Sequence, residues 1–436
     1  MAIDFSKFYQ AIERADLVKV IGKVIQVVGL IIEAQVQGVS IGDLCTIERG
    51  RMEDLAFAEV VGFREGRVLL MPLGSTSGIS PGAQVVAAGR PLDVKVTPNI
   101  LGRVLGGLGE PIDGKGPIIS EEGRSLDAEP PDPVNRPRVT KILKVGVKAI
   151  DGLLTIGKGQ RIGIFAGSGV GKSTLMGMVA RNAEADVNVI ALVGERGREV
   201  RDFIEESLGE EGLRKSVVIV ATSDKPPLIR LKAAFVATAI AEYFRDQGKH
   251  VILMMDSVTR FAMAQREVGL AAGEPPTTKG YTPSVFALLP RLMERSGAAE
   301  VGSISAFYTI LVEGDDFNEP IADQSRSILD GHIVLSRELA AKNQYPAIDI
   351  PHSVSRLMTN LVGEEHKKAA GKLREVLARY AEAEDLINIG AYVKGSNPKI
   401  DYALTKHDQI IEFLKQGTFE SVDFEKTEKK LISIFY

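Results

Sequence analysis

The sequence predicts a mixed architecture: a parallel α/β domain, preceded by a small β-barrel and followed by an α-helical domain. Three observations carry this. Short β-branched runs punctuated by glycine extend from Val18 to about Leu92, apolar strands alternate with helical stretches in the middle of the chain, and helical spacing takes over beyond about residue 365. The length of 436 residues exceeds what one compact core normally holds, so two or three domains are expected. The expected division is an amphipathic segment at 1–17, the barrel at 18–92, the α/β domain at 93–365 and the helical domain at 366–436.

Residues 5–16 read as a short helix. Phe5, Phe8, Tyr9 and Ile12 fall at i, i+3, i+4 and i+7 and share one face. That face either packs on the next domain or docks a partner. In the barrel region, Gly22, Gly29, Gly38, Gly42 and Gly50 interrupt the apolar runs. Val60-Val61-Gly62-Phe63 and Val68-Leu69-Leu70-Met71 flank Arg64-Glu65-Gly66-Arg67, a hairpin turn. Pro81-Gly82 opens another turn before Val85-Val86. Short strands at such spacing favour a closed barrel.

Residues 127–138 (DAEPPDPVNRPR) carry Pro130, Pro131, Pro133 and Pro137, which rules out helix or central strand and leaves an extended connection. Beyond it, Arg161–Ala166, Val187–Val193, Ser216–Val220 and His250–Met255 read as buried strands separated by helical stretches, the pattern of a parallel sheet. In the C-terminal part Leu373, Val376, Leu377 and Tyr380, and then Ile410, Phe413 and Leu414, repeat the helical spacing; the interleaved lysines and glutamates form a solvated face.

Composition narrows the function. Apolar residues make up 44% and charged residues 25%, which argues against disorder. A net charge of -4 leaves no basic excess for a nucleic-acid backbone, so no nucleic-acid partner is expected. Cys45 is the single cysteine, so no internal disulfide forms and a reducing compartment fits. The N-terminus MAIDFSKFYQ lacks the pattern of a signal peptide, and no apolar run approaches the ~20 residues that span a bilayer. A cytosolic protein, able to dock on a membrane-bound partner, is the expectation.

The strongest chemical signal is Ala166-Gly167-Ser168-Gly169-Val170-Gly171-Lys172-Ser173, between the strand RIGIF and the helical stretch TLMGMVARNAEA. This is the context a phosphate-binding P-loop requires. Its glycines let backbone N–H groups converge on phosphates, and the helix N-terminus adds partial positive charge. Lys172 would pair with β- and γ-phosphate oxygens, and the Ser173 hydroxyl would ligate Mg²⁺. Ala166 stands where the pattern has glycine, so only that position's backbone freedom is in question. His250–Asp256 is a buried strand ending in an acid, suited to a second Mg²⁺ contact beside the phosphates. Val193-Gly194-Glu195-Arg196 follows the first strand after the P-loop helix, which in a parallel sheet puts it beside the phosphates. Glu195 then either polarises the attacking water or forms a surface ion pair. The five histidines are too scattered for a metal site.

At this point the chain resembles the family that holds the rotary ATP synthase catalytic subunits and the type III secretion ATPases. Pro346-Ala347-Ile348-Asp349-Ile350-Pro351-His352-Ser353-Val354-Ser355 is similar to that family's signature, and Leu101-Gly102-Arg103-Val104 with Glu110-Pro111-Ile112-Asp113 to its passage from barrel to nucleotide domain. Ala149-Ile150-Asp151 and Gly157-Lys158-Gly159-Gln160-Arg161 resemble its lead into the P-loop. The segments FAGSGVGKSTLMGMVAR and VEGDDFNEPIADQSRSILDGHIVLSRELA resemble the flagellar branch, with the injectisome relatives nearest to it.

The resemblance implies a RecA-like nucleotide domain that hydrolyses ATP with Mg²⁺. It implies that Gly167, Ser168, Gly169, Val170, Gly171, Lys172, Ser173 and Thr174 cradle the nucleotide, and that Tyr345 stacks on adenine. Glu195 matches the catalytic glutamate, Asp256 the acid of the metal strand, and Arg196 and Arg260 the arginines that support phosphate and Glu195. Arg356 matches an arginine finger that reaches the neighbouring subunit's site. The implied function is to energise or prime export of flagellar proteins through a type III secretion apparatus. The implied assembly is a homohexameric ring, cytoplasmic and peripheral at the inner face of the membrane. Its implied partners are a stator-like negative regulator at the N-terminal segment, a central stalk protein, export chaperones with their cargo, and the membrane export gate. Four rivals remain: an injectisome ATPase, a rotary synthase subunit, a non-catalytic ring subunit and a RecA-like hexameric helicase. Non-catalytic subunits carry Gln where Glu195 sits, and the acidic balance and absence of Trp argue against the helicase.

Overall fold

The computed structural model describes residues 20–50, 54–312, 314 and 316–436; the Phe5–Ile12 face lies outside the described residues. Two compact units emerge: one runs through Leu92 and includes Val268–Glu274, and the other holds Asp93–Glu267 and Pro275–Tyr436.

The first unit is a closed six-stranded barrel. Its strands are β1 (Ile21–Val28), β2 (Ile31–Gln35), β3 (Asp43–Glu48), β4 (Leu55–Arg64), β5 (Arg67–Pro72) and β6 (Gln84–Pro91). They pair in the order β1-β2-β5-β4-β3-β6, with β6 closing on β1. Alternation sets the interior: Val24, Ile32, Ile47, Val60, Leu70 and Val85 are buried together. Between β4 and β5, Glu65 and Gly66 have φ of 49° and 75°. Two left-handed residues match the twist of a two-residue hairpin.

The second unit is built on a nine-stranded sheet. Its main strands are β7 (Val104–Gly106), β8 (Arg161–Ala166), β9 (Val187–Val193), β10 (Ser216–Ala221), β11 (His250–Asp256), β12 (Ser303–Leu311), β13 (Gly331–Leu335) and β14 (Ile348–Ser355). The order across the sheet is β14-β13-β8-β12-β11-β9-β10-β7, with the short strand Gly297–Ala298 beside β12. All are parallel except β14 and that short strand. Every residue of β9 and β10 is buried, because parallel strands are covered on both faces by their crossovers. The 127–138 segment carries neither helix nor strand.

The chain leaves β8 through helix α1 (Lys172–Asn182) and returns three strands away as β9, so β11 and β12 later fill the two places between. Registers align the carboxyl ends of the central strands: Ala166 pairs with Leu311, Met255 with Tyr308, and Leu192 with Asp256. A loop leaving any of these strands therefore emerges at one common edge, where α/β sheets bind ligands.

The C-terminal helices are α2 (Glu364–Asn388), α3 (Pro398–Leu414) and α4 (Phe424–Ser433). Their apolar faces do not form a separate core. Leu373, Ile410, Phe413 and Leu431 are buried in the same cluster as Ile150, Leu153 and Ile164. Polar anchors join the parts: Gln416 Oε1 accepts from Lys148 N at 2.8 Å, and its Nε2 donates to Gly146 O at 2.8 Å.

Candidate active site

Strand β8 ends at Ala166, which is buried and carries no left-handed backbone, so alanine costs nothing there. The loop that follows does need glycine. Gly169 and Gly171 have φ of 78° and 90°, and Gly171 caps α1 with no side-chain hydrogen bond. The first N–H groups of α1 are thus uncapped donors at the loop. Val170 is buried in the core and fixes the loop, while Ser168 and Gly169 are exposed. A Cβ on Gly167 would lie 2.7 Å from Arg337 Nη2, and one on Gly171 would lie 3.6 Å from Tyr345 Cε1. The segment 336–345 therefore flanks the loop, with Tyr345 turned against its last glycine.

Lys172 opens α1 and reaches the carboxyl edge of the sheet. Its Nζ donates to Asp256 Oδ1 at 2.5 Å and lies 3.6 Å from Glu195 Oε1. Asp256 Oδ1 also accepts from Thr309 Oγ1 at 2.7 Å. Burial opposes the Lys172 charge, but Asp256 and then Glu195 more than offset it and hold the pKa above the ordinary lysine value. Glu195 is shifted the other way, up to about 7: burial is the largest cause, and the charge of Asp256 adds to it. Lys172 pulls it down, and a hydrogen bond with the Glu199 carboxyl pushes it up again. An acid poised near neutrality in such a cluster suits proton handling.

Ser173 is exposed and Thr174 half-buried in the first turn of α1. The Ser173 hydroxyl and the Asp256 carboxylate are hard oxygen donors, which fit a divalent cation. Among the described residues no three His, Cys, Asp or Glu side chains are grouped to hold a metal. A cation held by Ser173 and Asp256 would complete its shell with phosphate oxygens and water, as Mg²⁺ commonly does. A second sign of fit is Arg260: its stem lies beneath Gly194, whose Cβ would sit 2.8 Å from Arg260 Cβ, and its Nε is buried without a hydrogen-bond partner among the described residues. Such an orphaned donor beside the Gly194–Glu195 turn suits an anionic ligand.

The structure does not bring all the expected residues together. Arg196 has a side chain 79% exposed and pairs with Glu199 at 3.4 Å. Arg356 lies at the other end of the sheet. Ile348, at the start of β14, pairs with Leu335 near the P-loop edge, whereas Ser355 pairs with Gly331. Arg356 therefore stands on the order of 20 Å from the loop of its own chain, a strand's length away. It is exposed, and Nη2 donates only to Arg326 O at 3.2 Å. Sequence reasoning missed Thr309, Glu199 and Arg337. A threonine within the buried run SISAFYTIL, and charged residues at two helix starts, were the only signals.

This site sits on a chain whose residues 146–355 match the ATP synthase alpha/beta family nucleotide-binding domain. Residues 24–89 match that family's beta-barrel domain, and residues 362–433 match the T3SS EscN ATPase C-terminal domain. A flagellum-specific ATP synthase of Bacillus subtilis is 59% identical over 97% of both chains. The chain belongs to the ATP synthase alpha/beta family.

Within the family it stands among the flagellar and type III secretion export ATPases, and it is an ATPase. A type 3 secretion system ATPase of Xanthomonas euvesicatoria is 54% identical over 95% of this chain and 93% of that one. Among solved structures, the assembled ATPase EscN from the enteropathogenic E. coli type III secretion system aligns with a TM-score of 0.90 at 49% identity. That alignment covers 95% of this chain and 99% of EscN. EscN in complex with its central stalk EscO aligns with a TM-score of 0.88 at 48% identity, with the same coverage.

Proposed function

We propose that this chain hydrolyses Mg²⁺-ATP as a homohexameric ring, and that hydrolysis energises or primes export of flagellar proteins through a type III secretion apparatus. One observation carries the reading: Lys172 lies between Asp256 and Glu195 at the P-loop, while Arg356 stands at the opposite edge of the same sheet. One chain alone cannot apply that arginine to its own site, and a ring can apply it to the next.

The roles follow from position. Backbone N–H groups of Gly167–Thr174 and the Lys172 ammonium bind the phosphates, and Tyr345 stacks on adenine. The Ser173 hydroxyl and the Asp256 carboxylate would hold a magnesium ion arriving with ATP, which would supply neutralisation of charge on the phosphate oxygens. Glu195 accepts a proton from the attacking water or orients it. Arg260 offers its unpaired donor toward phosphate or Glu195, and Arg196, fastened to Glu199, steadies the turn that carries Glu195. Arg356 stabilises charge on the transferring phosphoryl group of the neighbouring subunit.

A central stalk, a negative regulator on the N-terminal segment, chaperones with cargo and the export gate are the proposed partners, and the inner face of the cytoplasmic membrane is the proposed workplace. No helix among the described residues is long and apolar enough to cross a membrane. The test is Mg²⁺-ATP hydrolysis by the purified chain across a range of its own concentration. Specific activity should rise with concentration; flat or absent activity with nucleotide still bound would mean that another subunit completes the site.

A second reading, the injectisome ATPase, draws support from the Xanthomonas relative and the C-terminal match. Restored swimming in a bacterium lacking its flagellar ATPase would favour the flagellar system. Restored secretion in an injectisome mutant, without swimming, would favour the other.

A further inference from the structure

We infer that Thr309 is a positioning residue for ATP hydrolysis, fixing which oxygen of Asp256 serves the metal. The inference rests on the reading of Asp256 as the metal-strand acid. Thr309 lies on β12, one strand over from β8 and directly beside β11. Its side chain is fully buried, and Oγ1 donates to Asp256 Oδ1 at 2.7 Å. The same oxygen accepts from Lys172 Nζ at 2.5 Å. Two donors fill the two lone-pair directions of Oδ1, which leaves Oδ2 as the accepting oxygen. The carboxylate cannot rotate without breaking a bond that burial makes costly to lose.

The other polar side chains of β12 give a contrast. Ser303 meets His250 Nδ1, Ser305 accepts from Gly159 N, and Tyr308 meets Ser296. Those three fasten the strand to a neighbouring strand and to nearby loops. Thr309 alone is spent on a carboxylate of the P-loop cluster. Outer-shell partners of this kind orient metal-binding groups, and losing one typically costs roughly 10–100-fold in metal affinity or activity.

Thr309→Val keeps the shape and removes the hydroxyl, whereas Thr309→Ser keeps the hydroxyl. The full chain carries each change. The measurements are ADP binding in Mg²⁺ and in EDTA, the Mg²⁺ dependence of hydrolysis, kcat and KM for ATP, and the thermal midpoint. In T309V, the strengthening of ADP binding by Mg²⁺ should fall by roughly 10-fold or more, and half-saturating Mg²⁺ should rise to match. Binding in EDTA should barely move, while KM for ATP in Mg²⁺ rises and kcat drops, and T309S should recover most of the loss. T309V with wild-type metal response would overturn the inference, as would a folded T309S as impaired as T309V. Asp256→Asn separates the two levels. If D256N loses metal dependence while T309V keeps it, only the role of Thr309 falls; if D256N keeps it, the reading of Asp256 falls first.

Discussion

The two edges of one sheet are built on opposite plans. At the carboxyl edge of β8, β11 and β9, Lys172, Asp256 and Glu195 are mostly buried and balance one another. At the far edge, beyond β14, Arg356 is exposed and its guanidinium donates to the backbone carbonyl of Arg326. The first edge is preorganised to hold charge that arrives with a nucleotide. The second presents a cation with no ion pair among the described residues. On the proposed reading each chain carries most of one site and the missing part of another, a division that would couple hydrolysis to assembly.

The largest expected effect breaks this comparison at the far edge. Arg356→Ala should lower kcat by roughly 10³–10⁵-fold, the range attributed to arginine fingers, while nucleotide binding stays near wild type. Mixing Arg356→Ala subunits with Lys172→Ala subunits should restore partial activity, because some interfaces then pair an intact P-loop with an intact finger. Absence of any recovery in mixed rings that demonstrably form would place Arg356 outside the neighbour's site.

At the near edge, Glu195→Gln should cut kcat by about 10²–10⁴-fold, the usual weight of a general base, with ATP binding retained. A smaller effect comes with acidity. With Glu195 raised to about 7, the carboxylate is present above neutrality and lost below it. Hydrolysis should therefore fall as pH drops through 7, by about tenfold per unit once well below. Rate–pH profiles would check this, and a wild-type profile flat between pH 6 and 8 would remove Glu195 as the titrating base.

The same contrast explains what was legible in the sequence. Asp256 ends the apolar strand β11, Glu195 follows the mostly apolar β9 by one glycine, and the glycines and lysine of the P-loop have a spacing that few other structures need. Strands β12, β13 and β14 were harder to read, because Ser303, Ser305 and Thr309 break the first and Pro351 sits in the last. That proline is tolerable because β14 is an edge strand. The one signal for Thr309, a threonine inside a buried apolar run, does not point to a role, since β-branched residues fill strands for packing reasons alone. Arg356 could be singled out only through the family resemblance: its spacing resembles that of any surface arginine, and its proposed task lies on another chain. The helical region read as a C-terminal domain and matches one; that its apolar faces pack into the core beneath β8 is a detail that periodicity along the chain does not encode.

The finest test falls on Tyr345, which shares the near edge but carries no charge. Its ring faces Gly171 and is 42% exposed, and its backbone oxygen accepts from Gln416 N at 2.9 Å. The backbone is thus tied to the C-terminal helices while one face of the ring stays open. Stacking of a base on an aromatic ring contributes about 1–3 kcal/mol, so Tyr345→Ala should weaken ATP and ADP binding by roughly 5- to 150-fold. Tyr345→Phe should stay close to wild type, because stacking uses the ring and not the hydroxyl. The loss should appear in KM and Kd far more than in kcat, the reverse of the Arg356 and Glu195 variants. A kcat-only defect in Tyr345→Ala would show that the ring acts by shaping the P-loop and not by holding the base.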